Sequence, residues 1–372
     1  MLPPLTLQYA DFAAWQRRNL QGERSEKLLA YWRRELEDLP TLALTTNFPR
    51  PHEMDLRGDV LTFTVPAELT AALQSLARLH SCTPFMLLLS AFQVLLMRYT
   101  GQTDFGIGTP VAGRNHPGLD SVIGFFVNTL VLRTRIDGNP TFTEHLRQTR
   151  DRALKAFSQQ DIPFGRLVEA LNPPRDMSRN PLFQVMFAYQ RDNSPALVLG
   201  DIVCERLPRH DGTSKFDLSL SMTEAGDTLR GSFEFATSLF TQQHIRQMKH
   251  HWLHLLAALG RDPEQTVWQL PLFDQEERAR LLNDPLASTA NLPLEERVEQ
   301  LIARQARLHA QRSAILCGDN VISFGELEAQ ANPLAHYLKS LGVTDGKAVG
   351  LCMERSPELV IAMLAVLKAG GA

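Results

Sequence analysis

The sequence predicts an α+β fold for most of this chain. Segments with helical and strand periodicity are mixed, without the regular strand–helix alternation of a doubly wound parallel sheet. Of the 372 residues, 44% are hydrophobic and 21% are charged, which is typical of a soluble globular protein with a substantial core. Near residue 291 the composition shifts towards Ala, Leu and Arg. We therefore expect a large α+β domain followed by a smaller second one.

Helical periodicity marks seven segments before residue 260. Pro66 and Pro84 each open a helix, because proline is tolerated in the first turn, and Thr241 is placed to cap the last helix. The 13 residues from Phe85 to Met97 are mostly apolar, whereas a membrane span needs ~20, so they predict a buried core helix. The predicted helices cover residues 8–20, 23–36, 66–80, 84–99, 143–158, 164–171 and 241–259.

Alternating apolar and polar residues predict the strands, with β-branched and aromatic enrichment supporting the longer ones. The alternation in Lys215–Met222 and Thr228–Ala236, on either side of the turn Glu224–Asp227, predicts a hairpin. The other predicted strands are residues 58–65, 104–111, 125–136 and 182–189, and a short strand near Ile202.

The C-terminal part of the chain is predicted as a linker and a separate domain. Residues 261–290 contain two Asp-Pro steps around a short charged helix, which is typical of a linker. Pro333 lies inside a predicted helix, where it should remove a backbone hydrogen bond and kink the helix at a typical cost of ~3 kcal/mol. The predicted elements of residues 291–372 are helices at 294–309, 324–341 and 357–369, paired strands at 314–317 and 321–322, and a strand at 348–352.

Charge and cysteine usage exclude several classes of protein. The net charge is −3 and the Arg residues are interleaved with acids, which argues against nucleic-acid binding. The four cysteines are far apart, which argues against a disulfide framework or a zinc knuckle and favours a reducing cytoplasm. The N-terminus lacks the pattern of a signal peptide. We expect a cytoplasmic protein with neither a nucleic-acid nor a membrane partner.

Histidines form one candidate metal site. His250 and His254 are four residues apart and share a helix face, as paired metal ligands do. No third ligand has suitable spacing, so a partly exposed helix face is the better interpretation.

Two polar residues stand out because they lie in predicted strands. Asn128 lies between Val127 and Leu130, where an amide is disfavoured unless it faces a polar channel or bonds to neighbouring backbone. Asp217 poses the same question, and Lys215 lies two residues earlier on the same strand face, where it could pair with Asp217. Both a functional and a structural role remain open for these residues.

Two charged turns are predicted to be structural. Asp176, Ser178 and Arg179 could be an acid, a nucleophile and an electrostatic stabiliser, but no histidine is near them in sequence. Hydrogen bonds from local backbone amides to Asp176 and Ser178 are the better interpretation, with Asn180-Pro181 ending the turn. In the other turn, Asp161 is predicted to cap the helix that begins near Pro163.

Five segments, in this order, resemble the condensation domain of nonribosomal peptide synthetases. They are Tyr9–Trp15, Ile123–Leu130, Gln159–Phe164, Arg175–Phe187 and Lys215–Leu218. The resemblance implies a chloramphenicol-acetyltransferase-like fold and a condensation region at residues 1–260, with its core lobe at about 56–260. It implies that Asn128, Asp217 and Lys215 are candidates for lining the substrate tunnel. The positions matched to the structural motifs are Tyr9, Asp11, Trp15, Asp161, Arg175, Asp176, Ser178, Arg179 and Asn180.

The motif that carries the chemistry of this family is not in the sequence. The resemblance implies a His-His-x-x-x-Asp-Gly motif before Tyr9, whose second histidine would orient or deprotonate the attacking amine. We therefore expect the C-terminal part of a condensation domain, with no catalytic residue of its own and no activity in isolation. A missing N-terminal lobe would be its partner.

The second block resembles the beginning of an adenylation domain. Ile322–Leu327 resembles the opening motif of these domains, and Leu367–Ala372 resembles the start of their second motif. The resemblance implies a partial α/β adenylate-forming domain, in which ATP and Mg²⁺ would bind only when the domain is intact. No cofactor is expected to bind this chain directly. Phosphopantetheine would be carried by the upstream and downstream peptidyl carrier domains.

The order condensation then adenylation implies an elongation module of a nonribosomal peptide synthetase. Its reaction would join carrier-bound aminoacyl or peptidyl thioesters through an amide bond. A non-catalytic remnant or interaction scaffold is the alternative from another class. A free-standing acyltransferase of the same fold is a third hypothesis, which would require an active-site histidine.

Overall fold

A computed structural model describes residues 7–192, 198–199, 202–203, 210–283, 296–318 and 320–372. The chain divides into two compact units, Met1–Ala279 and Arg280–Ala372. The division falls inside the segment predicted as a linker.

The first unit contains helices and strands. The helices are α1 (Tyr9–Asn19), α2 (Gly22–Glu35), α3 (Ala67–Leu79), α4 (Pro84–Thr100), α5 (Phe142–Ser158), α6 (Phe164–Leu171) and α7 (Gln242–Arg261), and α8 (Gln275–Asn283) crosses the division between the units. The strands are β1 (Gly58–Val65), β2 (Asp104–Val111), β3 (Asn128–Arg135), β4 (Val185–Arg191), β5 (Val198–Leu199), β6 (Ile202–Val203), β7 (Leu218–Ala225) and β8 (Thr228–Ala236). Helices α3, α5, α6 and α7 each contact a strand.

Six of these strands form a mixed sheet in the order β1-β8-β7-β4-β2-β3. The β2–β4 and β4–β7 pairs are parallel, and the other pairs are antiparallel. The predicted hairpin is β7–β8, joined by the two residues Gly226 and Asp227, and Gly226 has a φ of 63° that favours glycine. The mixed sheet and its helices confirm the predicted α+β fold.

Helix α4 is the centre of the core. All its residues from Met86 to Met97 are buried, and it packs against α3, α5 and α7, as predicted for a core helix. The side chain of Thr83 accepts a hydrogen bond from the Met86 amide, and Gly101 ends the helix in the left-handed conformation. None of the described helices is long and apolar enough to cross a membrane alone; α3 and α4 reach that length and composition as a pair, bent by 103° at the break.

The first unit continues beyond residue 260, where the linker was predicted to begin. Val267, Leu270 and Leu272 are buried in its core, and the Arg98 Nη1 donates a 2.7 Å hydrogen bond to the Leu270 carbonyl. The predicted boundary is therefore too early, because Asp-Pro steps mark turns but do not reveal that the residues between them are buried.

Three predicted strands begin later than expected. β7 begins at Leu218 instead of Lys215, so Lys215 and Asp217 precede the strand. β4 begins at Val185 instead of Leu182, because Leu182 has a φ of 69° and cannot continue a strand. β3 begins at Asn128 instead of Phe125, because Phe126 turns into a small apolar cluster with Leu119 and Val122.

The second unit has a small core of its own. It contains α9 (Val298–Leu308), β9 (Ser313–Cys317), β10 (Asn320–Ser323), α10 (Phe324–Ser340) and α11 (Pro357–Ala369). α10 begins with a capping box between Ser323 and Glu326 and continues through Pro333. The strand predicted at 348–352 is not formed among the described residues, although Val349 donates to the Ala372 carbonyl and Ala372 donates to the Lys347 carbonyl.

Candidate functional site

The side chain of Asn128 ties the start of β3 to the segment that leads into α6. Its Nδ2 donates to the carbonyls of Gln160 (2.9 Å) and Ile162 (2.7 Å), and its Oδ1 accepts from the Phe164 amide (3.0 Å). All three bonds satisfy backbone groups, including an amide of the first turn of α6. The amide of Asn128 therefore fixes two signature segments to each other.

Asp161 does not cap α6 as predicted. The residue at the cap position is Pro163, whose side chain makes no capping hydrogen bond, and Asn128 provides an acceptor from across the fold instead. Asp161 forms an ion pair with Arg24, with 2.7 Å between the Nη2 and Oδ2 atoms. The prediction is wrong because sequence proximity favours a local cap, and the acceptor comes from a residue 36 positions away.

We predict that Asn128→Leu lowers the free energy of unfolding of the first unit by about 2–3 kcal/mol, since it leaves three backbone groups without partners. Tryptophan fluorescence during urea unfolding measures this loss, because all four tryptophans lie before residue 279. Asn115→Ala, at an exposed asparagine of the neighbouring loop, is the matched control, with an expected change within about 0.5 kcal/mol. Equal effects of the two substitutions would contradict the assigned role.

Helix α1 packs on the loop that precedes β3. The Tyr9 hydroxyl donates to the Phe125 carbonyl (2.9 Å), and the Tyr9 ring meets the Phe126 ring edge-on. A side chain at Gly124 would collide with the Tyr9 ring, so glycine is required there by the close approach. These contacts join the first two signature segments.

Asp11 and Trp15 complete the contacts of α1. The Asp11 Oδ2 accepts from the Gln8 amide (2.9 Å), which closes a capping box at the start of the helix. The Trp15 ring packs edge-on against His116, with 4.4 Å between ring centroids. Asp11 thus stabilises α1 itself, and Trp15 connects it to the loop.

Arg114 organises that loop from within. Its Nη1 donates to the carbonyls of Leu119 and Val122, and its guanidinium lies 4.2 Å from the centroid of the Phe126 ring. With Phe126 held inside, Ile123, Phe125 and Val127 point outwards and are exposed. No sequence pattern indicates this role of Arg114, because its partners are carbonyls and a ring.

The three joined segments line a small cleft. Phe12, Trp15, His116, Asn128 and Asp161 are among its walls, and its volume of about 40 Å³ has room for only one or two water molecules. Among the described residues that line the cleft, His116 is the histidine. The cleft has both aromatic and polar walls, and it is too small to enclose an aminoacyl group.

The turn at residues 175–180 has local hydrogen bonds. The Asp176 Oδ1 accepts from the Ser178 amide (2.8 Å) and hydroxyl (2.6 Å), and its Oδ2 lies 2.7 Å from the Arg179 Nε. The hydrogen bonds from Ser178, with the charge of Arg179, lower the pKa of Asp176. Arg175 is exposed, and Asn180 donates to the Lys215 carbonyl (2.6 Å). The described geometry agrees with a structural turn.

Asp217 pairs with Arg50, and the predicted pairing with Lys215 is wrong. The Arg50 guanidinium binds both carboxylate oxygens of Asp217, with 3.0 Å between Nη1 and Oδ1, and it also donates to the Ser178 carbonyl (3.2 Å). The side chain of Lys215 is exposed. Because Arg50 lies 167 positions before Asp217, spacing along the strand could not indicate it. Arg50 joins the two remaining signature segments.

We predict that Asp217→Asn lowers the free energy of unfolding by about 2–3 kcal/mol, because a mostly buried guanidinium loses its charged acceptor. Lys215→Gln, two residues away, should change it by less than about 0.5 kcal/mol. Urea unfolding of both variants measures the difference. Equal losses would mean that Lys215 is the true partner.

Of the histidine cluster on α7, His250 is exposed and His254 is half-buried, as predicted for a partly exposed helix face. His251 is buried, its Nδ1 lies 2.6 Å from the Tyr99 hydroxyl, and its Nε2 lies 3.1 Å from a carboxylate oxygen of Glu277 on α8. Burial lowers the pKa of His251. His250 contacts Asp274 at 3.0 Å. Among the described residues, no group of three or more potential ligands is suited to a metal ion. The cluster fastens α8 to α7.

Comparisons with known proteins agree with this architecture. The model of the condensation domain matches residues 1–282, and that of the AMP-binding enzymes matches residues 302–372. A linear gramicidin synthase of Brevibacillus parabrevis is 43% identical over all of this chain, which covers 7% of that protein. Malpinin synthetase of Mortierella alpina is 39% identical over all of this chain, which covers 5% of that protein. The chain thus spans a small part of the curated relatives that it matches.

Solved structures support the same fold. A holo four-domain nonribosomal peptide synthetase bound to AMP and glycine is 25% identical, with a TM-score of 0.67 over 96% of this chain and 28% of that one. The X-domain from teicoplanin biosynthesis is 25% identical, with a TM-score of 0.68 over 73% of this chain and 64% of that one. The fold defines an acyltransferase-like condensation lobe followed by the start of an AMP-binding domain.

The chain belongs to the condensation-domain family. The family match begins at residue 1 and ends at residue 282, beyond the predicted boundary at 260. It does not mark the matched region as only the C-terminal part of a condensation domain.

Proposed function

We propose that this chain is part of an elongation module of a nonribosomal peptide synthetase and takes part in amide-bond formation between carrier-bound thioesters. The observation that carries the proposal is the order of the two family matches, condensation at 1–282 and AMP-binding at 302–372, on one polypeptide. The curated relatives, which are named as peptide synthases, support it. Carrier domains that hold the phosphopantetheine arms are the proposed partners.

In this proposal the described residues form one wall of the condensing site, and a residue from another segment transfers the proton. The amide of Asn128 and the carboxylate of Asp217 are already engaged with backbone and with Arg50. The acceptor amine would attack the donor thioester, so that a C–N bond forms, the C–S bond breaks, and the thiol leaves with a proton. The wall contributes by orientation. The proposed base is a histidine of the His-His-x-x-x-Asp-Gly motif, which the 372 residues do not contain.

The second unit is proposed to be the start of the domain that activates the amino acid. Its described residues do not fit ATP: the Lys368 Nζ is bound to Glu328 and Asn332 at 2.7 Å, and the Lys347 Nζ donates to the Gly342 carbonyl. A reducing cytoplasm is the proposed location, supported by the free thiols of Cys82, Cys317 and Cys352.

We expect that the isolated chain transfers no donor acyl group to a loaded acceptor carrier above background, and that fusing an N-terminal condensation segment with the His-His-x-x-x-Asp-Gly motif produces transfer. Intact mass spectrometry of the acceptor carrier measures both reactions. The control is the same fusion with the second histidine changed to alanine, which should be inactive. Transfer by the isolated chain would favour a free-standing acyltransferase, and a folded but inactive fusion would favour a scaffold.

A further inference from the structure

A cavity of about 460 Å³ lies beside the signature turn at residues 175–180. Its walls come from the chain after α2, the end of α6 and the approach to β4, and they include Leu39, Val168, Pro174, Arg175 and Leu182. The volume falls within the roughly 300–1,000 Å³ of small-molecule sites. We call it the turn cavity. The proposed amide-bond reaction does not use it.

Strained backbone borders the turn cavity. Four described residues other than glycine have a positive φ, and two of them, Asn172 (42°) and Leu182 (69°), line the cavity. Asn172 ends α6 in the left-handed conformation that asparagine tolerates, so Leu182 is the strained residue of the pair. A third, Asp38 (49°), directly precedes Leu39 in the wall. A bulky residue such as leucine rarely adopts this conformation, and such strain concentrates at ligand-binding sites. The strained backbone at Leu182 therefore suits a wall that belongs to a ligand-binding site.

The charges around the cavity leave one cation available. Arg179 is paired with Asp176 at 2.7 Å, and Glu169 lies 3.7 Å from Arg166. Among the described residues, Arg175 has no hydrogen-bond or ion-pair partner, and its side chain is exposed at the wall. The surface of the cavity is therefore largely apolar, with one unneutralised guanidinium.

We propose that the turn cavity binds a small amphipathic monoanion, with its apolar body against Leu39, Val168 and Leu182 and its anionic group at Arg175. A guanidinium that lacks an internal acceptor is suited to a carboxylate or sulfonate, and apolar walls are suited to an aromatic or acyl body. The site is independent of the proposed condensation reaction, because none of its residues touches the cleft at Asn128.

Two dyes that differ in charge test the proposal on the full chain. Anilinonaphthalene sulfonate carries the anion, and N-phenyl-1-naphthylamine has the same ring skeleton without it. We expect saturable binding of the sulfonate to weaken about fivefold in Arg175→Gln, which is the upper range for an exposed ion pair. Binding of the neutral dye should stay the same. Arg147→Gln, at an exposed arginine of α5, is the matched control and should change neither.

A second variant separates this cavity from other apolar surfaces. Val168→Trp places a large ring in the cavity and should abolish the saturable component for both dyes, whereas Leu154→Trp, on the exposed face of α5, should not. Circular dichroism melting confirms that each variant is folded. If Arg175→Gln binds the sulfonate as tightly as the unmodified chain does, the proposal is overturned. The same holds if folded Val168→Trp keeps both dyes.

Discussion

Arg133→Met is expected to lower the free energy of unfolding of the first unit by about 3 kcal/mol, because it removes a buried guanidinium that binds one carboxylate and two backbone carbonyls. The side chain of Arg133 is only 4% exposed. Its Nε and Nη2 each lie 2.7 Å from an oxygen of Asp104, and its Nη1 donates to the carbonyls of Glu35 (3.0 Å) and Glu37 (2.6 Å). The substitution leaves a carboxylate and two carbonyls at the end of α2 without a donor.

Arg135→Met is the matched control for this prediction. Arg135 lies two residues later on β3, is 41% exposed and approaches the same carboxylate of Asp104 at 3.9 Å. Exposed ion pairs contribute at most about 1 kcal/mol, so we expect a small change. Urea unfolding followed by tryptophan fluorescence compares the two, and Trp32 on α2 is close to the affected helix end. A loss of less than about 1 kcal/mol in Arg133→Met would contradict the assigned role.

His145→Leu is expected to remove a large part of the acid sensitivity of the first unit. His145 is fully buried, and no hydrogen bond of good geometry reaches either ring nitrogen from the described residues. Burial, assisted by the charge of Arg152, lowers the pKa of His145 to about 3. The unfolded chain binds a proton near pH 6.5, and the folded chain does not. The stability that depends on neutral His145 is therefore fully present above pH 6.5 and is lost as the pH falls from 6.5 towards 3.

Between pH 7 and pH 5, His145 should lower the free energy of unfolding of the unmodified chain by about 2 kcal/mol. This value follows from the linkage of protonation to unfolding. We expect the loss over that interval to be smaller by about the same amount in His145→Leu. His52→Leu, at an exposed histidine, is the control and should follow the unmodified chain. Parallel pH profiles of His145→Leu and the unmodified chain would rule out a buried neutral imidazole.

Local chemistry predicted most elements of the fold. The strand Gly58–Val65, the helix Phe164–Leu171 and the helix Pro357–Ala369 have the predicted bounds, because each is framed by proline, glycine or a polar cap. The errors occur where long-range packing overrides the pattern. The left-handed Leu182 delays β4, and the inward turn of Phe126 delays β3, and neither has a signature in sequence.

The candidate site was predictable in its residues but not in its contacts. Asn128 and Asp217 were identified as unusual because both are polar residues in predicted strands. Their partners are backbone groups at residues 160–164 and the guanidinium of Arg50, all distant in sequence. Arg50 and Arg114 were missed for the same reason. Loops have no periodic pattern, so the sequence does not distinguish a charged side chain that binds groups inside the fold from one that is exposed to solvent.

The burial of His251 was also missed, and it shows a limit of helical periodicity. His250 and His254 share one face of α7, whereas His251 points towards Tyr99 and Glu277. The spacing of His250 and His254 was clear, but the helix face that α8 covers depends on residues after 260, which were predicted to be a linker. The error in the domain boundary and the error in the histidines therefore have one cause.

The intact mass of the acceptor carrier tests the central claim most directly, in a fusion of this chain to an N-terminal condensation segment with the His-His-x-x-x-Asp-Gly motif. If the joined signature segments form a wall of the condensing site, the fusion adds the donor acyl group to the acceptor carrier. Asn128→Leu should then slow the transfer by about tenfold or more, since small displacements of a positioning wall are costly to rate. Transfer at the same rate in folded Asn128→Leu, or no transfer by the folded fusion, would contradict the claim.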